Sequence, residues 1–326
     1  MADGLTPRTI DGALTVSLVI PVFNENDAVL DELATRLAAV LGSLPCLGQM
    51  VLVDDGSDEP TRKKLRALAA ADARITLVRL ARNFGHQPAV AAGLDHARGE
   101  VVVLLDGDLE DPPELIPELL ARWQEGYEVV LARRRSRHLN PLRRLLFAGF
   151  YRVFELLADF PVPLQAGIYC LLGRRAWQQI AGLREANRFL PGLRAWVGFP
   201  ITIVAYDRGP RGGGAPKQTL LRLFRYASDA IFSFSYKPLR LSLVFGAVVF
   251  VLSSFYAFVL LVLRLLAVNV VSGFSTVAIA VLFFGGAILM SNGILGEYLG
   301  RIYDEVKRRP LYVVEELVGD EDARKP

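Results

Sequence analysis

Near residue 237 the spacing and density of the apolar positions change, which divides the chain into two parts. Before this point, apolar runs of strand length alternate with stretches of helical spacing. The strand-length runs are 16–22, 50–53, 75–80 and 101–105. After it, two long segments without charge, 241–263 and 265–296, are separated by Arg264. The pattern therefore predicts an α/β domain followed by two apolar helices.

The first two hundred residues predict a mostly parallel sheet with helices on both faces. Continuous apolar runs are typical of buried parallel strands, and alternation of strands with helices favours this arrangement. The predicted helices are 27–41, 59–70, 88–98 and 111–126. For the last of these, Asp111 is the expected N-cap, followed by two prolines and Glu114.

Each of the two uncharged segments is long enough to cross a bilayer, which requires about 20 residues of helix. Asn269, Ser272 and Gly273 predict a loop, so the second helix is expected over about 274–297. Basic residues flank the pair outside this loop, which places both chain ends in the cytoplasm by the positive-inside rule. The alternative is a buried helical hairpin in a soluble core.

These patterns predict four regions. They are a cytoplasmic α/β domain at 1–212, a juxtamembrane amphipathic segment at 213–240, two transmembrane helices within 241–298 (about 241–266 and 274–297), and a cytoplasmic tail at 299–326. Hydrophobic residues make up 52% of the chain, which agrees with a multi-pass membrane protein. The net charge is only +3 and no long Lys/Arg run occurs, so no nucleic-acid partner is expected. Cys46 and Cys170 lack the spacing of a zinc site or a disulfide framework.

Acidic and polar residues follow three of the predicted strands. These motifs are PVFNEN at 21–26, DDGSD at 54–58 and DGDLED at 106–111. Ligands of parallel α/β sheets bind at the carboxyl ends of the strands, so the motifs are expected to converge there. Carboxylates gathered at one edge repel each other unless a cation lies among them. Oxygen ligands without His or Cys suit Mg²⁺ or Mn²⁺.

If the segment after the fourth strand stays extended, Asp106, Asp108 and Glu110 lie on the same side of the chain. Each motif alone has an ordinary interpretation as a turn or a helix cap. All three in this order, each at a strand end, make chance a poor explanation.

The motifs SLVIPVFNEN, VLVDDGSD and VVVLLDGDLEDPPE resemble the family 2 glycosyltransferases, which have the GT-A (Rossmann-like) fold. More narrowly, they resemble the polyisoprenyl-phosphate glycosyltransferases, which include dolichol-phosphate mannose synthase and bacterial enzymes acting on undecaprenyl phosphate. The resemblance continues through RFLPGLRAWVGF and FSFSYKPLRL and ends at GILGEYLGRIYDEVKRRPLY, which is typical of the bacterial subgroup with two spans.

The resemblance implies an inverting, metal-dependent hexosyltransferase in the bacterial inner membrane that modifies envelope glycans. Its partners would be a nucleotide sugar donor and a polyisoprenyl phosphate acceptor within the bilayer. UDP-glucose is the first choice of donor; GDP-mannose, UDP-N-acetylhexosamine and a modified aminoarabinose donor stay open. Gly285, Gly286 and Gly293 would allow close helix contact, so a homo-oligomer is expected.

The resemblance also implies roles for individual residues. Residues expected to bind the nucleotide sugar are Pro21, Phe23, Glu25, Asp54, Asp55, Asn83 and Gly85. Asp106 and Asp108 are the expected catalytic residues that bind Mg²⁺ or Mn²⁺ and the donor pyrophosphate. Glu110 is an additional metal ligand where the family usually has Gln. Arg134 and Arg137 are the expected catalytic residues that bind the lipid phosphate. Arg211 and Lys217 form a second basic pair expected to bind it.

The basic residues have an alternative interpretation as a juxtamembrane patch attracted to anionic lipid. The sequence also departs from the family pattern, since Gln165 and Ile168 lie where an acidic residue is common. Pro216 precedes Lys217, where Ser or Thr is common. The departures at Gln165 and Ile168 motivate a rival hypothesis, a catalytically inactive membrane scaffold, against which the intact Asp106 and Asp108 argue. A processive polysaccharide synthase is another alternative, but its Gln-x-x-Arg-Trp motif is not found.

Overall fold

The computed structural model describes residues 5–8, 14–44, 46–135, 152, 167–207, 235–266 and 273–319. Within these residues the strands are β1 (Leu14–Val22), β2 (Cys46–Asp54), β3 (Ile75–Leu80), β4 (Val101–Leu104), β5 (Val129–Arg134), β6 (Cys170–Gly173), β7 (Ile201–Tyr206) and β8 (Val314–Val318). The helices are α1 (Asp27–Ser43), α2 (Glu59–Ala71), α3 (His86–Asp95), α4 (Ile116–Gln124), α5 (Arg174–Gly182), α6 (Leu190–Trp196), α7 (Lys237–Leu265) and α8 (Phe274–Lys307).

The strands form one sheet in the order β7-β5-β6-β4-β1-β2-β3-β8. Its centre is parallel, because β1 pairs with both β2 and β4, and β2 pairs with β3. β6 is antiparallel to β4 and β5, and β8 is antiparallel to β3. The mostly parallel sheet predicted from the sequence is confirmed, whereas β5 to β8 were not predicted.

Alternation along β1 divides the apolar core into two layers. Leu18 and Ile20 pack on one face with residues of α1, α2 and α4. Val19 packs on the other face with residues of α3, α5 and α6. All three side chains are fully buried, as expected for a central strand covered on both sides.

The segment that enters α4 differs from the prediction. Pro113–Leu115 form a turn of 3₁₀ helix, and α4 itself begins at Ile116. Asp111 does not cap it: the residue before this turn is Pro112, and no side chain accepts a capping hydrogen bond there. The Asp111 carboxylate is instead buried against residues from other strands, described below.

The tail forms a strand on the edge of the sheet. Ala81 N donates to Val313 O at 2.9 Å, and β8 continues along β3 from there. Arg66 on α2 binds Glu316 through two nitrogens, Nε at 3.0 Å and Nη2 at 2.6 Å. The tail therefore covers an edge of β3 that would otherwise expose unpaired backbone groups.

Two long helices follow the α/β domain. Among the described residues, one stretch is long and apolar enough to cross a membrane by length and composition, Lys237–Val259 within α7. α8 extends from Phe274 to Lys307 and includes the range of the second predicted span, about 274–297, which stays a prediction. Of the predicted juxtamembrane amphipathic segment at 213–240, the structure describes residues 235–240.

We expect Gly93 to be a critical contact between α3 and the sheet. A Cβ at this position would overlap Val19 Cγ1 and lie 3.1 Å from Val53 Cγ2. Gly93→Ala should therefore lower the free energy of unfolding by about 1–3 kcal/mol, the usual cost of overpacking. Thermal unfolding of the purified protein in detergent, followed by circular dichroism, measures the change.

Gly42→Ala is the matched control, since Gly42 also lies in a helix but a Cβ there meets nothing within 4 Å. We expect it to be neutral or to stabilise by up to about 1 kcal/mol, because Ala is the better helix former. Equal unfolding temperatures for the two variants would contradict the close packing of α3.

Candidate functional site

The three acidic motifs follow the adjacent strands β4, β1 and β2, so they meet at one edge of the sheet. Backbone hydrogen bonds join them there: Asp55 N donates to Val22 O at 3.0 Å, and Leu105 N donates to Val19 O at 3.2 Å. Asn24 N also donates to Ser57 Oγ at 3.1 Å. The predicted convergence of these loops is therefore what the structure shows.

Asp54 ends β2 and is 1% exposed. Its Oδ1 accepts from Ser57 N at 2.7 Å, and its Oδ2 accepts from Arg79 Nη1 at 2.9 Å. Both oxygens are thus used inside the protein, to close the DDGSD turn and to pair with β3. Gly56 lies in that turn at φ 71°, where a Cβ would come within 2.5 Å of Asn83 N, so only glycine fits.

Asp55 shapes the loop that follows β3. Its two carboxylate oxygens accept from Phe84 N at 2.7 Å and Gly85 N at 3.0 Å. Burial raises the pKa of Asp55, although the two backbone hydrogen bonds act in the opposite direction. Gly85 has φ 99°, a conformation that glycine adopts readily. Asp55 thereby fixes the position of Gly85, one of the residues that the sequence predicted at the nucleotide, and of Phe84 next to Asn83.

His86 contacts the acidic loop and was missed by sequence reasoning. Its Nε2 lies 2.8 Å from Asp106 Oδ1. Partial burial lowers the pKa of His86, but the hydrogen bond and charge of Asp106, with smaller effects of Asp55 and Asp108, outweigh it and raise the pKa. The sequence predicted a helix over 88–98. The helix begins two residues earlier, which brings the imidazole to the site.

The segment after β4 is a turn and not the extended chain assumed from the sequence. Leu109 has φ 58°, and Asp108 Oδ1 accepts from Glu110 N at 3.0 Å. The three carboxylates therefore do not lie on one side. Glu110 is directed towards Arg134, with Oε2 3.9 Å from Nη2 and a side chain only 12% exposed.

Arg134 at the end of β5 belongs to a buried network that also was not predicted. Its Nη2 donates to Asp111 Oδ1 at 3.1 Å and its Nε donates to the Tyr206 hydroxyl at 3.2 Å. The Tyr206 hydroxyl donates to the same oxygen of Asp111. Burial raises the pKa of Asp111 despite these partners. Tyr169 packs edge-to-face on Tyr206, with ring centroids 5.9 Å apart.

The remaining predicted residues fall into two groups. Pro21 and Glu25 are half-buried, Asn83 is exposed, and the Phe23 ring is 46% exposed at the same edge of the sheet. Arg137, Arg211, Lys217 and Gln165 lie outside the described residues. Ile168 is described, and its carbonyl accepts from Nη1 of the fully buried Arg194 at 3.3 Å.

The donor atoms present at the edge fit a hard divalent cation. Asp106 and Asp108 are the carboxylates of the loop that reach solvent, whereas Asp111 is 2% exposed and bound to Arg134. Two carboxylates leave positions for phosphate oxygens and water, as Mg²⁺ commonly requires. Within the described residues no group of three or more His, Cys, Asp or Glu side chains is arranged to hold a metal ion.

The chain is similar to bacterial glycosyltransferases over nearly its whole length. It is 41% identical over 308 residues to an uncharacterised glycosyltransferase of Synechocystis sp., covering 94% of this chain and 96% of the relative. It is 36% identical over 303 residues to the SfII prophage-derived bactoprenol glucosyl transferase of Shigella flexneri, covering 92% and 97%. It is 35% identical over 306 residues to the prophage bactoprenol glucosyl transferase homolog of Escherichia coli (strain K12), covering 93% and 99%.

Similarity to solved structures is weaker. Mannosyl-3-phosphoglycerate synthase from Rubrobacter xylanophilus aligns with a TM-score of 0.45 and 19% identity, covering 67% of this chain and 72% of that one. A complex of glucosyl-3-phosphoglycerate synthase from Mycobacterium tuberculosis with Mn²⁺, uridine diphosphate and glucosyl-3-phosphoglycerate aligns with a TM-score of 0.44 and 17% identity, covering 67% and 78%. These similarities are too weak to support a statement about ligands.

The model of glycosyl transferase family 2 matches residues 17–176, which span β1 to β6 and the three acidic loops. The relatives align over at least 92% of both chains, so the similarity extends well beyond this range. On these grounds the chain belongs to glycosyl transferase family 2 and is a transferase with a GT-A-like α/β fold.

Proposed function

We propose that this enzyme transfers a sugar, with UDP-glucose as the first choice of donor, to undecaprenyl phosphate at the bacterial inner membrane. The product would be a lipid-linked sugar used to modify envelope glycans. The lipid acceptor is suggested by the names of the relatives, which describe bactoprenol glucosyl transferases. The observation that carries the proposal is the meeting of three acidic loops at one edge of the sheet, with Asp106 and Asp108 open to solvent.

In this proposal the donor lies along the carboxyl ends of β1, β2 and β4. The loop of Asn83 and Gly85, which Asp55 holds, would receive the nucleoside together with Pro21, Phe23 and Glu25. Asp54 would act indirectly, because its carboxylate is already bound by Ser57 N and Arg79. The exposed Phe23 ring offers a face on which a base can stack.

Asp106 and Asp108 would hold Mg²⁺ or Mn²⁺, which supplies Lewis-acid stabilisation of the charge on the departing nucleoside diphosphate. His86 would orient Asp106 through the contact at Nε2. The predicted third ligand, Glu110, stays a prediction, and its closeness to Arg134 suggests a role in orienting that residue.

Arg134 would bind the phosphate of the lipid acceptor, with Arg137, Arg211 and Lys217 as further cations. Guanidinium groups suit phosphate because they present paired N–H donors. A phosphate oxygen of the lipid would attack the anomeric carbon and displace the nucleoside diphosphate with inversion. Phosphate monoesters lose their second proton near pH 6, so the attack needs no general base at Gln165 or Ile168.

The membrane arrangement we propose has two spans, α7 and the first part of α8. The stretch 274–296 of α8 carries no charged residue and is long enough to span a hydrocarbon core of about 30 Å. Asp, Glu, Lys and Arg begin at Glu297, where the helix would leave the membrane. Gly285, Gly286 and Gly293 have open space beside them among the described residues, which suits helix contact in a homo-oligomer.

The first experiment tests the reaction with purified full-length protein in detergent, undecaprenyl phosphate, Mn²⁺ and a panel of sugar nucleotides. We expect one donor to give a sugar phospholipid. Asp108→Asn should reduce the rate about 100-fold or more, because it removes a charged ligand that acts on the leaving group. Chelation of the metal should have a similar effect.

Asp72→Asn is the matched control, because Asp72 is an acidic residue at the opposite end of β3, paired with Arg74 at 2.6 Å. It should keep the wild-type rate. Absence of product from every donor, in protein that is folded, would reject the transferase reaction. A fully active Asp108→Asn variant would reject the metal assignment alone.

Tyr206→Phe tests the role given to Arg134. The change removes the hydroxyl that accepts from Arg134 Nε and donates to Asp111, so Arg134 should be less well oriented. We expect kcat/KM for the lipid to fall about 10-fold, because a lost hydrogen bond to a charged group is worth about 1.5–3 kcal/mol. The KM for the sugar nucleotide should not change.

Tyr303→Phe is the control, because the ring is 59% exposed and keeps its contact with Lys307 as phenylalanine. A loss of donor affinity in Tyr206→Phe, with unchanged use of the lipid, would contradict the assignment of Arg134 to the acceptor.

Thiol labelling tests the two spans. In intact cells a membrane-impermeant maleimide should react with an Asn269→Cys variant, because that position is expected on the far side of the membrane. A Val313→Cys variant, at an exposed tail residue, should react only after lysis. Labelling of both positions only after lysis would contradict a second span.

A further inference from the structure

Three arginines follow one another at the end of β5, from Arg133 to Arg135. Arg134 binds Asp111, as described above, and Arg135 Nη1 lies 3.5 Å from Asp207 Oδ2. The side chain of Arg133 is exposed, and within the described part of the chain it has no hydrogen bond or ion pair. Among the contacts that the structure describes, the guanidinium of Arg133 is therefore the one in this run that is left for a ligand.

The register of the sheet places Arg133 at the edge where the acidic loops meet. Cys170 of β6 is paired with Leu104 of β4 on one side and with Leu131 of β5 on the other. All three side chains are buried in the core layer of α3, α5 and α6. Because β4 and β5 are both antiparallel to β6, they run in the same direction and end at the same edge.

Arg133 and Asp106 lie on the same face of the sheet. Asp106 is two residues beyond the β4 member of this row, and Arg133 is two residues beyond the β5 member. Side chains two apart in a strand share a face, and β5 is still paired with β7 at Arg133. Asp106 faces α3 as well, because His86 at the start of α3 contacts it at 2.8 Å.

Arg134 is directed to the opposite face. Its neighbours Tyr169 and Tyr206 belong to the core layer of α1, α2 and α4. There its guanidinium donates to Asp111 and to the Tyr206 hydroxyl. The two adjacent arginines therefore serve different sides of the site, and Arg133 is on the side of the carboxylate expected to hold a metal ion.

The space between Asp106 and Arg133 suits a phosphate. Neighbouring strands lie about 4.8 Å apart, so the two Cα atoms, two strands apart, are separated by about 10 Å. Ile168 of β6 lies between them, two residues before Cys170, and its half-buried side chain offers no hydrogen-bonding group. A phosphate lying over Ile168 can face a cation at Asp106 with some oxygens and Arg133 with others.

We propose that Arg133 binds a phosphate group of a substrate on the α3 side of the site, across Ile168 from Asp106. The guanidinium presents paired N–H donors that match phosphate oxygens. This role rests on the proposed function and adds to it a cation on the face opposite Arg134. The phosphate belongs either to the nucleoside diphosphate of the donor or to the lipid acceptor.

Isothermal titration calorimetry of the full chain in uncharged detergent tests this role. The ligands are UDP, GDP and undecaprenyl phosphate, titrated separately, with Mn²⁺ present for the two nucleotides. We expect Arg133→Gln to raise the Kd of one bound ligand about 10-fold or more, because charge-assisted hydrogen bonds to phosphate are lost. Arg133→Lys should raise it less, since it keeps the charge and loses the paired donors.

Arg174→Gln is the matched control. Arg174 is also exposed and has no side-chain partner among the described residues. It follows Gly173 at the other end of β6, where that strand pairs with Val101 at the start of β4. The control thus removes the same charge at the opposite edge of the sheet, and its Kd values should equal those of the wild type.

The ligand whose Kd rises in Arg133→Gln identifies the source of the phosphate. A change for a nucleotide assigns Arg133 to the donor, and a change for the lipid assigns it to the acceptor; both support the role. Melting temperatures show whether each variant is folded. If Arg133→Gln does not fold, the rise in Kd of Arg133→Lys carries the test.

Equal Kd values in Arg133→Gln and the wild type, for every ligand that binds, would overturn the role of Arg133 and leave the transfer reaction standing. A similar loss in Arg174→Gln would also overturn it, because the effect would then come from net charge. A folded wild-type protein that binds none of the three ligands would reject this role together with the proposed function.

Discussion

Two adjacent carboxylates at the end of β2 must be satisfied inside the protein, and much of the site depends on how this is done. Buried charges are costly unless they are paired and hydrogen-bonded. Asp54 is bound by Ser57 N and by Arg79, and Arg79 Nε in turn binds Glu315 of the tail at 2.7 Å. Asp55 is bound by two backbone N–H groups of the loop after β3. The same two residues therefore fix the turn, the edge strand and the loop after β3.

The acidic loop after β4 shows the same constraint with a different outcome. Asp111 is buried, and Arg134 and Tyr206 compensate its charge. Asp108 is exposed, and Asp106 is partly exposed beside His86. The protein thus reduces the repulsion at this edge through Arg134, which binds Asp111, and through His86, which binds Asp106.

The sequence predicted the features that are local and missed those that join distant residues. Four parallel strands were predicted, because their apolar runs are continuous, and the strand order then brought the three acidic motifs together. Asp111 was predicted to cap a helix because two prolines and Glu114 follow it. Its actual partner, Tyr206, was not predicted because it lies 95 residues away in the sequence. β8 was missed because the stretch VEELV has no strand pattern of its own. It is held by Arg66, 250 residues away, and by β3.

The boundary of α3 shows why the candidate site was predicted only in part. The sequence predicted a helix over 88–98, whereas the helix begins at His86. The two backbone N–H groups just before it are held by Asp55, so the chain already turns into the helix at Gly85. Tertiary contacts of the loop thus decide the boundary, and Pro88 lies in the first turn of the helix, where proline is tolerated. His86 reaches Asp106 as a direct consequence, which links the end of β2 to the acidic loop after β4.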